Sequence, residues 1–214
     1  MPSGLPITSL KPETGLLPDK ETEMHVLEKR PAEASAQPLR DAIIRESQNK
    51  VIARLEERPE LAISTIATSG RIEDGLACHV QQGKFTTVTD LGRGMGGDAA
   101  GPSPGFHART AIVGCVAMAV KMLAAREGLV FRSVEVTVEI DVDDGALFGL
   151  GTGSAAPIET RVNIVVESDE AEDDVARTVD RALAMDPWYL ALRDAQTVVP
   201  SLAVKPGSGL EARG

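Results

Sequence analysis

The sequence predicts an α+β domain in which antiparallel sheets pack around one long buried central helix. Three observations carry that expectation. Residues 111–125 are almost wholly apolar and sit between a helix start and a helix stop. Segments 131–142 and 158–167 alternate apolar and polar residues with period two. The strand-like runs follow one another through hairpins, without the long crossovers that parallel strands need.

Taken in order, residues 1–38 hold six of the thirteen prolines and no sustained apolar period, which predicts an extended arm outside the core. From Leu39 the pattern turns helical, with Ile43, Ile44, Val51, Ile52 and Leu55 on one stripe and Pro59 as the stop. Three short strands are expected at 61–68, 76–82 and 84–90, the last two joined at Gln82-Gly83. A Gly/Pro-rich loop, 91–104, leads to Ser103 as N-cap and Pro104 as first helical residue. That helix should run to about Glu127 and stop at Gly128 in the left-handed conformation. Its apolar content predicts burial on most sides. The alternating strands follow, separated by a glycine-rich connection, and then an acidic helix over about 170–185. Pro187 opens one more helical turn, and 197–204 reads as a last strand. The domain is expected to span 39–204, with a flexible tail at 205–214.

Composition narrows the function. Lys plus Arg number 22 against 32 for Asp plus Glu, a formal charge of -10, and aromatics are only 3%. Such a surface repels phosphate backbones and lacks stacking platforms, so no nucleic-acid partner is expected. The apolar run 110–120 is shorter than the roughly 20 residues of a membrane span. The N-terminus lacks the charged and apolar regions of a secretion signal, so a cytoplasmic protein with no membrane association is expected. Two cysteines, Cys78 and Cys115, make no disulfide framework.

Several motifs imitate chemistry. Gly92-Arg93-Gly94-Met95-Gly96-Gly97 matches a dinucleotide fingerprint, but no helix can open at its glycines because Pro102 and Pro104 follow. Gly101-Pro102-Ser103-Pro104-Gly105 matches a hydrolase elbow, yet the residue after its serine is a proline with no N–H for an oxyanion. His25, His79 and His107 show no chelating spacing, and Cys78 and His79 point to opposite faces of a strand. No metal and no cofactor are expected.

One constellation survives. The segment from Met95-Gly96-Gly97-Asp98 through Pro104 to Cys115, with the thiol eleven positions after the proline, resembles the core of the OsmC/Ohr family. The paired strands, the acidic helix and the Asp186-Pro187 junction continue the likeness over about 39–204. That family is named for osmotically inducible protein C and organic hydroperoxide resistance protein. The resemblance implies an intertwined homodimer with sites at the subunit interface. In the family's peroxidases a cysteine thiolate attacks the peroxide, an arginine and a helix-start glutamate orient it, and a second cysteine resolves the sulfenic acid. Cys115 matches the attacking cysteine and Arg71 the arginine. The glutamate position is Gly105, and the resolving-cysteine position is Asp186.

Those two departures matter physically. A free thiol ionises near pH 8.5 unless a cation or a helix N-terminus helps it. Cys115 lies three turns into its helix, beyond the dipole's reach. His107 is about 12 Å away along the axis, and Arg109 near the opposite face. A carboxylate at 186, if near, would disfavour the thiolate further. A glutamate restored at 105 is expected to hold Arg71. Three readings stand open: a peroxide reductase using Cys115 alone with an external thiol reductant, a homologue binding a small apolar or electrophilic ligand at the interface, or an inert core cysteine in a dimeric scaffold.

Overall fold

Ser103 and Pro104 start the helix around which the rest of the chain is arranged. In a computed structural model of the protein, which describes residues 37–205, this helix is Pro104–Glu127. Before it come α1 (Gln37–Glu57) and the strands β1 (Ser69–Arg71), β2 (Cys78–Gln82) and β3 (Phe85–Thr89). The long helix is therefore α2. After it follow β4 (Phe131–Asp141), the single turn α3 (Asp144–Leu147), β5 (Glu159–Ser168), α4 (Glu172–Leu183) and α5 (Pro187–Arg193). The architecture is α+β, with a three-stranded sheet β1-β2-β3 and a two-stranded ribbon β4-β5, both antiparallel.

α2 begins and ends as its sequence requires. The Ser103 side chain accepts the Phe106 N–H at 3.2 Å, Pro104 occupies the first turn, and Gly128 caps the far end at φ 81°. One face of the ribbon then packs on it, because the period-two pattern puts every second valine or isoleucine on the same side. The register sets Val134 opposite Val166, Val136 opposite Ile164 and Val138 opposite Val162. These side chains cover Ile112 and Val116. One turn further on, Val120, Leu123 and Ala124 meet Phe131 and Ala182, with Val175 and Val179 of α4 against them. Phe131, Val116 and Val120 are fully buried, each contributing about 1.5–3 kcal/mol over its exposed state.

The opposite side of the ribbon is charged, and Arg161 is clasped by Glu139, Asp141 and Glu159 at 3.2, 2.6 and 3.1 Å. α1 is joined to α2 by polar contacts. Lys121 Nζ lies 2.9 Å from Asp41 Oδ1 and donates to the Phe131 carbonyl at 2.6 Å, which also accepts Gln37 Nε2 at 2.7 Å.

Burial of α2 on most sides holds, save for a stripe of Ala111, Met118, 60% exposed, and Met122, with Phe106 open near its start. The packing elements α1, β4, α4 and α5 cover the remainder. Five expectations change. α2 is long and apolar enough to cross a membrane by length and composition, the only such helix among the described residues, but its buried face is the domain's core. The single apolar stripe on α1 is split, with Ile43 and Val51 exposed and Ile44, Ile52 and Leu55 half-buried. No strand forms at 61–68. Residues Pro59–Ala62 make a 3₁₀ turn and the first pairing begins at Ser69. Nor does 197–204 form one, because Val198, Val199, Leu202 and Val204 find no neighbouring strand and stay exposed. The connection between β4 and β5 carries the turn α3, capped by Asp143, which the glycine-rich sequence had hidden. The hairpin at Gln82-Gly83 forms, with Gly83 at φ 57° and Gln82 paired to Phe85. The arm at 1–38, apart from its last two residues in α1, and the tail beyond 205 lie outside the described residues.

Candidate active site around Cys115

Cys115 sits on α2 between Gly114 and the buried Val116, at the margin of the core, and its side chain is half-buried. The helix turns its core stripe of Ile112, Val116 and Val120 inward, which leaves Cys115 on the flank facing the junction of α4 and α5. Ala111, Met118 and Met122 continue that flank as exposed apolar surface. Cys78 is distant in role: its Sγ packs over Gly70, where an added Cβ would lie 2.9 Å from the sulfur. Both cysteines are free.

Asp186 is the residue that meets the thiol. It ends the α4–α5 joint as the N-cap of α5, where the chain must stop one helix and start another. Its Oδ1 accepts the Tyr189 N–H at 2.7 Å, its N–H donates to the Leu183 carbonyl at 3.3 Å, and its carbonyl accepts the Leu190 N–H at 3.0 Å. Pro187 at the first helical position needs no donor partner, so the joint is tightly determined. The side chain is completely buried. Its second oxygen, Oδ2, is buried and has no hydrogen-bond partner among the described residues.

The electrostatics follow from this geometry. Burial pushes the Cys115 thiol above its ordinary range, and the hydrogen bond to Asp186 and the field of that carboxylate push it further. The Trp188 backbone N–H, also directed at the sulfur, acts the other way and is outweighed. At neutral pH the resting group is therefore a thiol, with S–H donating to a carboxylate.

Arg71 is placed elsewhere in the single chain. It lies on β1 with its side chain 79% exposed, paired to Glu73 at 2.6 Å, and it is not among the groups acting on the thiol. Its sheet borders an open concavity of about 940 Å³ lined also by His79, Val80 and Thr87, which does not include Cys115. At Gly105, where the resemblance implies a glutamate, an added Cβ would lie 3.2 Å from Arg109 Nη1, so the Arg109 side chain folds back over the first turn of α2. His107 turns its Nε2 into the protein without a hydrogen-bond partner and sets its ring edge-on to Phe106 at 5.7 Å.

Sequence reasoning passed over Asp90. It is 2% exposed and receives the N–H groups of Leu91, Asp98 and Ala100 at 2.7, 3.1 and 3.0 Å, bonds that hold its carboxyl below the ordinary range. This one side chain folds the 91–104 loop that delivers Ser103 to the start of α2. Glycines are required beside it: a Cβ at Gly97 would stand 2.1 Å from the Leu91 carbonyl oxygen, and one at Gly101 2.2 Å from that of Val88. The signal was an aspartate at the mouth of a glycine-rich loop, a common turn former. Among the described residues no group of three or more His, Cys, Asp or Glu side chains could hold a metal.

Residues 96–200 match the family model for OsmC-like protein. The crystal structure of an OsmC like protein from Mycoplasma pneumoniae is similar with a TM-score of 0.52 at 11% identity, covering 61% of this chain and 88% of that one. An organic hydroperoxide resistance protein of Bacillus subtilis, OhrB, aligns with a TM-score of 0.42 at 17% identity, covering 61% and 91%. A protein from Legionella pneumophila described as an organic hydroperoxide resistance protein gives 0.42 at 14% identity, covering 61% and 90%. No curated protein matches the sequence. The matched segment contains Gly96, Gly97, Pro104, Cys115 and Asp186 but not Arg71. Residues 96–200 are thus the part of the chain that is similar to the OsmC-like family.

Proposed function

We propose that this protein is a stress-response thiol peroxidase that reduces organic hydroperoxides through Cys115 alone. The observation that carries the reading is the half-buried Cys115 thiol under the influence of Asp186, a completely buried carboxylate whose Oδ2 has no hydrogen-bond partner among the described residues. A cysteine used only for packing needs no buried ionic partner. The name organic hydroperoxide resistance protein borne by solved structures of similar fold supplies the substrate class. Sulfur attacks one peroxide oxygen, the O–O bond breaks, an alcohol leaves, and Cys115 becomes a sulfenic acid. Position 186 carries no resolving thiol, so an external thiol, as the cytoplasm supplies, completes the cycle.

The working unit in this reading is a homodimer. Met118, Met122 and Phe106 on α2 and Phe85 on β3 are open apolar surface that a second copy would cover. Arg71, exposed on β1, would then serve the thiol of the other subunit. Light scattering at micromolar concentration should return twice 22.6 kDa, and a monomer mass would refute the assembly.

Intact-mass measurement after treatment with cumene hydroperoxide tests the chemistry. One added oxygen is expected in the wild type and none in Cys115→Ser. An unchanged wild-type mass would end the peroxidase reading. The raised thiol and the glycine at 105 favour a second reading, a family member that binds a small apolar or electrophilic ligand at the same place. Maleimide labelling of Cys115 without any oxidation by hydroperoxide would select it.

A further inference from the structure

We propose that Asp186 is the general base of this site, taking the Cys115 proton on Oδ2 as the sulfur attacks and returning it to the leaving group. The proposal rests on Cys115 being the reacting thiol. Capping α5 uses only Oδ1, and a serine would serve for that, as Ser103 does for α2. Asp143 caps α3 from an exposed position, whereas Asp186 is completely buried, its second oxygen has no hydrogen-bond partner among the described residues, and its carboxylate acts on the Cys115 thiol.

The charge accounting explains why a base is needed. A thiolate formed beforehand would place a second negative charge beside a buried carboxylate. If the proton moves as the bond forms, the site carries one negative charge throughout. The S–O bond forms, the O–O bond breaks, the alkoxide takes the proton from Asp186, and the products are Cys115 sulfenic acid, an alcohol and the carboxylate restored. With a maleimide, sulfur adds to the double bond and the same proton finishes on carbon. Among the charged groups on the packed elements, Lys121 is engaged with Asp41 and the Phe131 carbonyl, and Arg193 with Asp194 at 2.7 Å.

The test measures Cys115 alkylation by N-ethylmaleimide, and its oxidation by cumene hydroperoxide, across pH in a Cys78→Ser background. Asp186→Asn and Asp186→Ser are compared with the parent, their folding checked by circular dichroism and the serine variant keeping a capping oxygen. A general base contributes roughly a hundredfold or more. Both variants should react at least tenfold more slowly at neutral pH and converge with the parent once the thiol ionises unaided. A purely electrostatic or structural Asp186 gives the opposite sign, since removing its charge lowers the thiol's ionisation point. Faster or equal alkylation at neutral pH in either folded variant overturns the proposal. Slowed alkylation without oxidation by hydroperoxide would leave Asp186 as the base and end the peroxidase reading. Oxidation that is faster in the variants would do the reverse.

Discussion

Gly105→Glu restores a carboxylate to the first turn of α2, and the structure determines which partner it meets. The new Cβ would lie 3.2 Å from Arg109 Nη1 and 3.9 Å from Ser103 Oγ. The close atom is the end of a flexible side chain, so a shift of a few tenths of an ångström relieves it. Glutamate at 105 and arginine at 109 are four positions apart, the favourable order for an ion pair, worth about 0.2–0.5 kcal/mol. Negative charge at a helix N-terminus adds about 0.3–1 kcal/mol, and replacing glycine adds about 0.5 kcal/mol. The variant should gain about 1.5 kcal/mol, which raises Tm by about 3–6 °C in a chain of this size. Arg109→Met in the same background should remove only the pair contribution. Thermal and urea denaturation of the three proteins measure both quantities. A destabilised Gly105→Glu, or a gain that ignores Arg109, would refute this account of the helix start. The expectation that such a glutamate would hold Arg71 is redirected by the structure, because Arg109 of the same helix already lies over the position.

Asp186→Cys should form a disulfide to Cys115 on treatment with diamide, read as a mass loss of two hydrogens; its absence would mean that the two side chains are not neighbours. Losing the cap should cost about 1 kcal/mol. Lys121→Met leaves the Asp41 carboxylate, 8% exposed, without its cation and should cost about 3 kcal/mol in urea denaturation. Most of that should return in the double variant with Asp41→Leu, and failure to return would place the cost in the lost Lys121 bond to the Phe131 carbonyl instead. The Asp90 carboxyl is held low first by the Ala100 N–H and then by those of Leu91 and Asp98. Its contribution to stability is present above the unfolded-chain carboxylate value and is lost as pH falls through the folded value. Asp90→Asn should therefore flatten the acid limb of the stability curve, and an unchanged limb would place that sensitivity elsewhere.

The sequence by itself determined the elements whose rules are local. Ser103, Pro104 and Gly128 bound α2 because caps act on the nearest backbone groups. The alternation in β4 and β5 assigns their buried faces, since period two is a property of the strand alone. Pro104 and Cys115 pointed to the family through spacing. What only the tertiary structure decided depends on partners far along the chain. Segment 197–204 has strand-forming residues but no strand to pair with, and α2 has apolar residues all round but leaves Ala111, Met118 and Met122 uncovered. Asp41 meets Lys121 eighty positions away, a contact no periodicity announces. Position 186 was recognisable as the place of a missing cysteine, and a carboxylate there was expected to oppose the thiolate if it lay close. Its influence on Cys115, its burial and its unpartnered oxygen come from the packing of α5 on α2, where the capping bond occupies Oδ1 and leaves Oδ2 buried without a partner among the described residues.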